Sequence, residues 1–334
     1  MLNVINNTDA ELLLVLQEGI PLEIRPFAVI GQRIGISENQ VIEKASAFIK
    51  SGMVRRFGAI FEAGQLGYSS TLCAVDAPQC ELERMVKAIS PHSGITHCYE
   101  RDGHPNLWLT MTAPVEELAS ELARISQMLA PYELYSFPSR RTFKIGVVLD
   151  VRHGGGKQET LRDSVSVREK EMVVASHKFN EKERALIRIL QGNVLLSSPD
   201  PLEPVAKELG IGYQELLSIL VQWKKDRIIR RLGFVPYHRE LGFAVNAMCV
   251  WKVDADKVEA AGNILAKSPV VTHCYERVAN PVFPFNLFAM LHAATKDEAE
   301  VTRNNLVEQA GLSGGCMMLS VREFKKSSPV FFLR

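Results

Sequence analysis

Apolar residues recur along the first fifty positions with a helical period and then give way to the two-residue alternation of strands. Residues 10–18 form an apolar helical stretch closed by Gly19, and residues 27–33 a short second helix ending near Gly35. Ser37 suits the N-cap of a third helix that runs through Val41, Ala45, Phe48 and Ile49 to Gly52, with Glu38 in its first turn and Lys50 in its last. Three helices in this order make a helix-turn-helix layout. After Arg55 and Arg56 the pattern predicts a strand at 68–75, a helix at 81–89, strands at 95–101 and 106–112, a helix at 115–129 and a closing strand region within 132–149. The order βαββαβ reads as a ferredoxin-like sandwich, one sheet with both helices on one face.

The whole pattern then occurs again. Pro26 followed by Ile34-Gly35-Ile36 returns as Pro201 followed by Leu209-Gly210-Ile211, and Arg55-Arg56-Phe57-Gly58 returns as Arg230-Arg231-Leu232-Gly233. Gly67-Tyr68 returns as Gly242-Phe243, Asn106-Leu107-Trp108 as Asn286-Leu287-Phe288, and the run from Thr96 to Arg101 returns identically from Thr272 to Arg277. Collinear matches with slowly growing offsets mean a duplicated unit with loop insertions. The second copy repeats the strands and helices at 243–253, 256–267, 270–277, 285–291, 296–310 and 316–324. The fold class that follows is α+β, a tandem repeat of an N-terminal helix-turn-helix domain and a ferredoxin-like βαββαβ domain. Its boundaries are 1–60 and 61–150 for copy one, a Gly-rich, charged linker at 151–178, and 179–235 and 236–334 for copy two.

Composition narrows the function. With 334 residues, 46% hydrophobic and 23% charged, the chain is neither disordered nor too small for two domains. Thirty-nine Lys plus Arg against 38 Asp plus Glu leave a formal charge of +1, so any polyanion site is a local patch. Six cysteines form no C-x-x-C pair, which argues against zinc ribbons, redox dithiols and covalent haem. The N-terminal residues lack a basic stretch followed by an apolar one, and no apolar run is long enough to span a bilayer, so a soluble cytoplasmic protein without a membrane partner is expected.

Strand alternation puts His97, Tyr99 and Arg101 on one face and Cys98 and Glu100 on the other, with His273, Tyr275 and Arg277 sharing a face in copy two. In the next strand Leu107, Leu109 and Met111 should pack on the helices, leaving Asn106, Trp108 and Thr110 opposite. A sheet face bearing His, Tyr, Arg and Trp can bury against another sheet, as in a dimer interface, or against a ligand. His104 follows Arg101 and has no counterpart in copy two, where residues 278–284 fill its place; it is a solvated loop residue, a proton donor or an iron ligand. Arg140, Arg141 and Lys144 close one sheet, and Arg322, Lys325 and Lys326 the other. Arg forks suit a polycarboxylate, while solvated cations are the plainer reading. His92 and His153 read as bystanders, and His238 stays open. The third helices, by contrast, look poorly suited to DNA: each sums to zero charge, from Glu38, Glu43, Lys44 and Lys50 in one and Glu215, Lys224, Lys225 and Asp226 in the other.

Taken together, the helix-turn-helix before a βαββαβ domain resembles the Lrp/AsnC regulators. The Arg-Arg-Phe-Gly segment, the Gly-Tyr strand start, the His-x-Tyr-x-Arg strand and the Asn-Leu-Trp strand, each seen twice, resemble the siroheme decarboxylases, in a fused two-subunit form of the haem d1 type. Departures are Phe288 in place of Trp108, the missing counterpart of His104, and Cys98 and Cys274 where Asn is expected.

The resemblance implies loss of two acetate carboxyl groups of siroheme as carbon dioxide, giving 12,18-didecarboxysiroheme for haem d1 or an alternative haem route. It implies no cofactor beyond the iron tetrapyrrole substrate. His97, His104 and His273 are then the candidate acids, with His97 or His273 as axial ligand of the substrate iron, one half giving the ligand and the other the acid. Tyr99, Tyr275 and Trp108 would flank the macrocycle, and Arg101, Arg140, Arg141, Lys144, Arg277, Arg322 and Lys325 would pin carboxylates that must not react. The expected partners are siroheme, a second copy or other tetrapyrrole-pathway proteins, with DNA disfavoured. The rival reading is a DNA-binding regulator or tetrapyrrole sensor of the Lrp/AsnC type.

Overall fold

The computed structural model describes residues 6–146, 168–169, 177–196, 198–236 and 245–333. Nearly all of the expected linker lies outside the described residues, as do His153 and His238. Copy one contributes helices α1 (Asn7–Glu18), α2 (Pro26–Ile34) and α3 (Glu38–Lys50), strand β1 (Val54–Phe61), then β2 (Tyr68–Val75), α4 (Leu82–Ile89), β3 (Ile95–Arg101), β4 (Leu107–Pro114), α5 (Leu118–Leu129) and β5 (Tyr135–Ile145). After a short strand β6 (Arg168–Glu169), copy two follows with α6 (Glu181–Leu190), α7 (Glu203–Leu209), α8 (Tyr213–Lys225), β7 (Ile229–Pro236), β8 (Val245–Trp251), α9 (Val258–Lys267), β9 (Val271–Arg277), β10 (Leu287–Ala293), α10 (Lys296–Gln309) and β11 (Cys316–Lys326). Ser37 is the N-cap of α3 and forms a reciprocal capping box with Gln40. Among the described residues, no helix is long and apolar enough to cross a membrane.

The two copies build their parts jointly. The segments after the third helices are strands, β1 and β7, which pair antiparallel with Gly58 opposite Gly233 and with the Phe57 and Phe234 rings 5.2 Å apart. A Cβ on Gly58 would meet the carbonyl oxygens of Leu190 and Gly192 at the end of α6, and one on Gly233 would meet the carbonyl oxygen of Leu16 in α1. Each wing strand therefore carries the helical unit of the other copy, and the repeated glycine is the spacer that allows it. One apolar core runs through both helix-turn-helix units and both wings, from Leu12 and Phe27 to Leu220 and Phe234, and also takes in Phe331 from the C-terminal tail.

The two ferredoxin-like sheets merge as well. β5 pairs with β2 of its own copy at Tyr135 to Pro138, then crosses and pairs with β9 from Ser139 to Ile145. β11 does the same in reverse, pairing with β8 at Cys316 to Leu319 and with β3 from Ser320 to Lys326. Pairing is continuous through β2, β4, β3, β11, β8, β10, β9 and β5 back to β2, a closed ring of eight strands. Register shifts in the crossing halves, between Ser139 and Arg141 and between Ser320 and Arg322, bend both strands at the corners.

The helices lie outside, α4 and α5 over one half and α9 and α10 over the other, each pair on its own apolar core. A fourth cluster fills part of the interior: Ala74, Trp108 and Phe137 from one half meet Met248, Val250, Phe283, Phe288 and Met318 from the other. Phe283 comes from the β9–β10 loop that replaces the His104 segment.

Candidate active site

β3 and β9 carry the same seven-residue logic. Cys98 and Cys274 point outward into the helix-side cores and are fully buried, while burial pushes both thiols up, Cys98 to about 12. The inward residues stack in order: the His97 and Tyr99 rings lie 6.2 Å apart at 26°, and those of His273 and Tyr275 6.2 Å apart at 23°. The Arg101 guanidinium sits 5.7 Å above the Tyr99 ring, and that of Arg277 4.6 Å above the Tyr275 ring.

Each histidine is oriented by the threonine before it. The Thr96 hydroxyl donates to the carbonyl oxygen of Thr110 at 3.5 Å, so it accepts from His97 Nδ1 at 2.9 Å. Thr272 donates to the carbonyl oxygen of Met290 at 3.3 Å and accepts from His273 Nδ1 at 3.1 Å. This polar chain places the proton on Nδ1 and leaves the Nε2 lone pair of each ring to face the interior.

Burial first, then Lys326 and Arg55, lower the His97 pKa to about 4. Burial first, then His97, Arg230, Arg277 and Lys326, lower that of His273 to about 3. The two imidazoles thus feel each other across the ring and are neutral at pH 7. Both are surrounded by protein, yet His97, His273, Tyr275 and Arg277 keep accessible surface. That combination belongs to side chains lining an internal, water-accessible space. Burial also raises the Tyr275 pKa, so its phenol holds its proton.

The cations of this space are not those expected at the strand ends. Arg140 is exposed and lies 4.0 Å from Glu276, and Arg141 pairs with Glu259 at 2.9 Å and Glu276 at 3.8 Å. Arg322 pairs with Glu100 and Glu83, both at 2.5 Å. Lys144 donates to the carbonyl oxygen of Ser268 at 2.6 Å, and Lys325 to those of Ser90 and His92 at 2.6 and 2.8 Å. All five therefore lie on the outer side, where Arg141, Lys144, Arg322 and Lys325 hold β5 and β11 to α9 and α4. The register shifts explain the misreading: Arg141 lies opposite Glu276 and Arg322 opposite Glu100, the outward residues, while Lys326 falls opposite His97. Lys326, with Arg55 and Arg230 from the wings, supplies positive charge to the interior. Arg55 bonds Ser328 Oγ at 3.0 Å, and Arg230 bonds the carbonyl oxygen of Ile145 at 3.2 Å. The repeated Arg-Arg doublet was the available signal for these two.

Two further expectations are corrected. His104 has an 80% exposed side chain and bonds Asp76 at 2.6 Å, in the loop beyond β3, so it is not gathered with the inward residues. Trp108 does face inward but is 1% exposed, packed on Phe137 and Phe283, with Nε1 donating to the carbonyl oxygen of Pro105 at 2.6 Å. It belongs to the aromatic fill between the sheets and leaves no open face for a ligand. His92 bonds Glu121 at 2.7 Å on the outer side.

Paired βαββαβ sheets closed around a cationic, histidine-bearing interior define a ligand-binding protein of the AsnC-like class, one whose site is enclosed between its own two repeats. The AsnC-like ligand binding domain matches residues 65–144 and again 240–325, and the siroheme decarboxylase NirDL-like HTH domain matches residues 9–55. The siroheme decarboxylase of Hydrogenobacter thermophilus is 33% identical over 326 residues, covering 96% of this chain and 94% of that protein. The crystal structure of the siroheme decarboxylase NirDL aligns with a TM-score of 0.74 at 28% identity, over 98% of this chain and 94% of that one. This chain belongs to the siroheme decarboxylase family. A single-repeat relative, the siroheme decarboxylase beta subunit of Methanosarcina barkeri, is 39% identical over 142 residues, 93% of that subunit and 42% of this chain.

Proposed function

We propose that this chain is a siroheme decarboxylase, a carboxy-lyase that removes two acetate carboxyl groups of siroheme to give 12,18-didecarboxysiroheme, with no cofactor beyond the iron tetrapyrrole itself. The observation that carries the reading is the pair of inward His-Tyr-Arg ladders, closed into one interior with Lys326 opposite His97 and with the wing cations Arg55 and Arg230 near enough for their charge to lower the histidine pKa values. A polycarboxylate with a flat aromatic ring and a central iron needs cations, phenols and imidazole nitrogens around one space. A further crystal structure, of NirDL with an iron-uroporphyrin III analogue, has a TM-score of 0.73 with this chain and speaks for the same class of ligand.

In each decarboxylation the bond between the methylene and carboxylate carbons breaks. Carbon dioxide leaves, the electron pair stays on the methylene and delocalises into the macrocycle, and one proton turns the methylene into a methyl group, with no net redox change. The inward histidines are suited to supply that proton. Neutral in the empty site, an imidazole gains basicity when an acetate comes beside it, because the negative charge favours imidazolium. Loss of carbon dioxide moves that charge off the carboxylate onto the methylene and the macrocycle, and the histidinium, whose pKa in the empty site is about 4 or about 3, is a strong acid next to the carbon whose new charge its proton cancels. One imidazole in this role leaves the other Nε2 for the substrate iron.

A DNA-binding regulator is less well supported, because the wing cations that a winged reader would offer to phosphates are engaged within the chain, Arg55 by Ser328 Oγ and Arg230 by the carbonyl oxygen of Ile145 and by Glu62 at 3.7 Å. The fused chain closes the ring from its own two repeats, so one chain forms the interior that a pair of single-repeat subunits would have to share. The test is anaerobic incubation of the full chain with siroheme, following the extracted tetrapyrrole by mass spectrometry. Successive loss of two carbon dioxide units is the expected result; an unchanged mass overturns the reading.

A further inference from the structure

The two ladders are equivalent in sequence but not in what occupies their arginines. Arg101 is 5% exposed and spends both terminal nitrogens: Nη1 donates to the carbonyl oxygen of Met318 at 3.1 Å, and Nη2 to Asn246 Oδ1 at 3.3 Å with Met290 Sδ at 4.0 Å. Arg277 makes the matching Nη1 bond, to the carbonyl oxygen of Phe137 at 2.8 Å. Its Nη2 has no partner among the described residues, while its Nε is buried without one, as is that of Arg101. Nε and Nη2 are the two donors of the side-on edge of a guanidinium, the edge that grips a carboxylate bidentately. In Arg101 the Nη2 half of that edge is taken, whereas in Arg277 Nη2 is left without a partner and the residue keeps accessible surface.

Register explains the difference. Asn246 lies opposite His292 on β10, and Ser70 opposite Thr112 on β4, so Ser70 is the counterpart of Asn246. Met290 lies opposite His273, and Thr110 opposite His97, so Thr110 is the counterpart of Met290. The two groups that fill the Arg101 fork are thus replaced by shorter ones where the pseudo-twofold relation brings copy one to Arg277. Ser70 is turned to Thr112, its hydroxyl 2.7 Å from that of Thr112. The facing strands differ as well: Glu323 lies opposite Tyr99, and Thr142 lies opposite Tyr275.

We propose that Arg277 is a dedicated carboxylate fork that anchors one retained carboxylate of the tetrapyrrole in the copy-two half, and that Arg101 is a structural clamp that takes no substrate carboxylate. The anchored group is one that stays, because a tight ion pair stabilises a carboxylate against losing carbon dioxide. An acetate on the neighbouring ring position then comes to the His273 end of the ladder, where Ile145 lies opposite.

The inference rests on the siroheme reading, and the test separates the two. Siroheme is titrated anaerobically into the full-length chain by absorbance, and turnover is followed by mass spectrometry. Wild type that neither binds nor decarboxylates siroheme defeats the function, not the fork. Given an active wild type, Arg277→Gln is expected to weaken siroheme ~10- to 100-fold, the loss of a charge-assisted pair. Its rate at saturation should fall much less, and Arg277→Lys, which keeps the charge but not the fork, should lie between. Ser70→Asn, which installs the group that blocks Arg101, should weaken siroheme about tenfold and add little in the Arg277→Gln background. A dissociation constant within twofold of wild type for Arg277→Gln, or additive losses in the double variant, overturns the proposal.

Discussion

The inner and outer faces of the strand ring are built from the same repeated sequence and do opposite work. Along Thr96 to Arg101 and Thr272 to Arg277, the outward positions hold the molecule together: the cysteines fill the helix-side cores, and Glu100 and Glu276 pair with Arg322 and Arg141. The inward positions carry neutral imidazoles, phenols and guanidiniums around one space. Identity between repeats therefore has two causes, one every second residue. Asn106 and Asn286, equally repeated, belong to the structural set, since each clamps a neighbouring backbone at 2.8–2.9 Å through both its amide nitrogen and oxygen, at Ala77 and at Val253.

The largest expected effect breaks the inner face. His97→Ala and His273→Ala should each lower the rate of carbon dioxide loss by ~100-fold or more, the usual contribution of a positioned proton donor or its equivalent. The two should differ in kind, one losing the bound-iron absorption spectrum and the other losing turnover with the spectrum kept. Wild-type behaviour in both, in the same anaerobic assay, would remove the chemistry from this face.

The same histidines make the fold acid-labile. Their folded pKa values of about 4 and about 3 lie below the ~6.5 of an unfolded histidine. Between about pH 6.5 and 4 the unfolded chain binds protons that the folded chain refuses, so stability falls as pH drops through that window. Thermal melts from pH 7.5 to 5 should show Tm declining by several degrees, and the His97→Gln, His273→Gln double variant should flatten the decline. Bound siroheme, whose carboxylates favour imidazolium, should flatten it too.

On the outer face the effects turn to stability alone. Lys144 is 1% exposed and its ammonium donates to the carbonyl oxygen that ends α9. Burial lowers its pKa to about 8. Lys144→Met should cost about 1–3 kcal/mol, a fall of a few degrees in Tm, with kcat and KM for siroheme kept. A rise in KM without a fall in Tm would return Lys144 to the substrate side, where the sequence had suggested it.

That expectation shows where legibility stops. Alternation within one strand is a local property, and it placed His97, Tyr99 and Arg101 on one face and Leu107, Leu109 and Met111 on the helices as observed. Helix ends were legible for the same reason, through Ser37, Gly35 and Gly52, although α5 starts at Leu118 rather than Val115. Which strand pairs with which across the two copies is not local. The crossing of β5 and β11 depends on bulges that turn Arg141, Lys144, Arg322 and Lys325 outward and Lys326 inward, and nothing in a run of cations fixes that register. The pairing of β1 with β7 was equally hidden, and with it the role of Arg55 and Arg230. Trp108 was read correctly as inward but not as filled, because its partner Phe283 arrives from a loop of the other copy.

The smallest effect lies at the seam between the faces. Thr96 is 2% and Thr272 1% exposed, and each does nothing inward except hold the Nδ1 proton of the next histidine. Thr272→Val keeps the shape and removes the acceptor. The imidazole then gains by moving its proton to Nε2, where it no longer offers a lone pair to iron or to a substrate proton, and the working tautomer becomes a minority form. A tautomer preference set by one hydrogen bond is worth ~1 kcal/mol, so kcat should fall about three- to tenfold while siroheme affinity changes by less. Thr272→Ser, which restores the hydroxyl without the methyl, should recover most of the loss. Equal kcat for the Val and Ser variants would mean that the threonine serves only the strand, and that the inner face orients its histidines by packing alone.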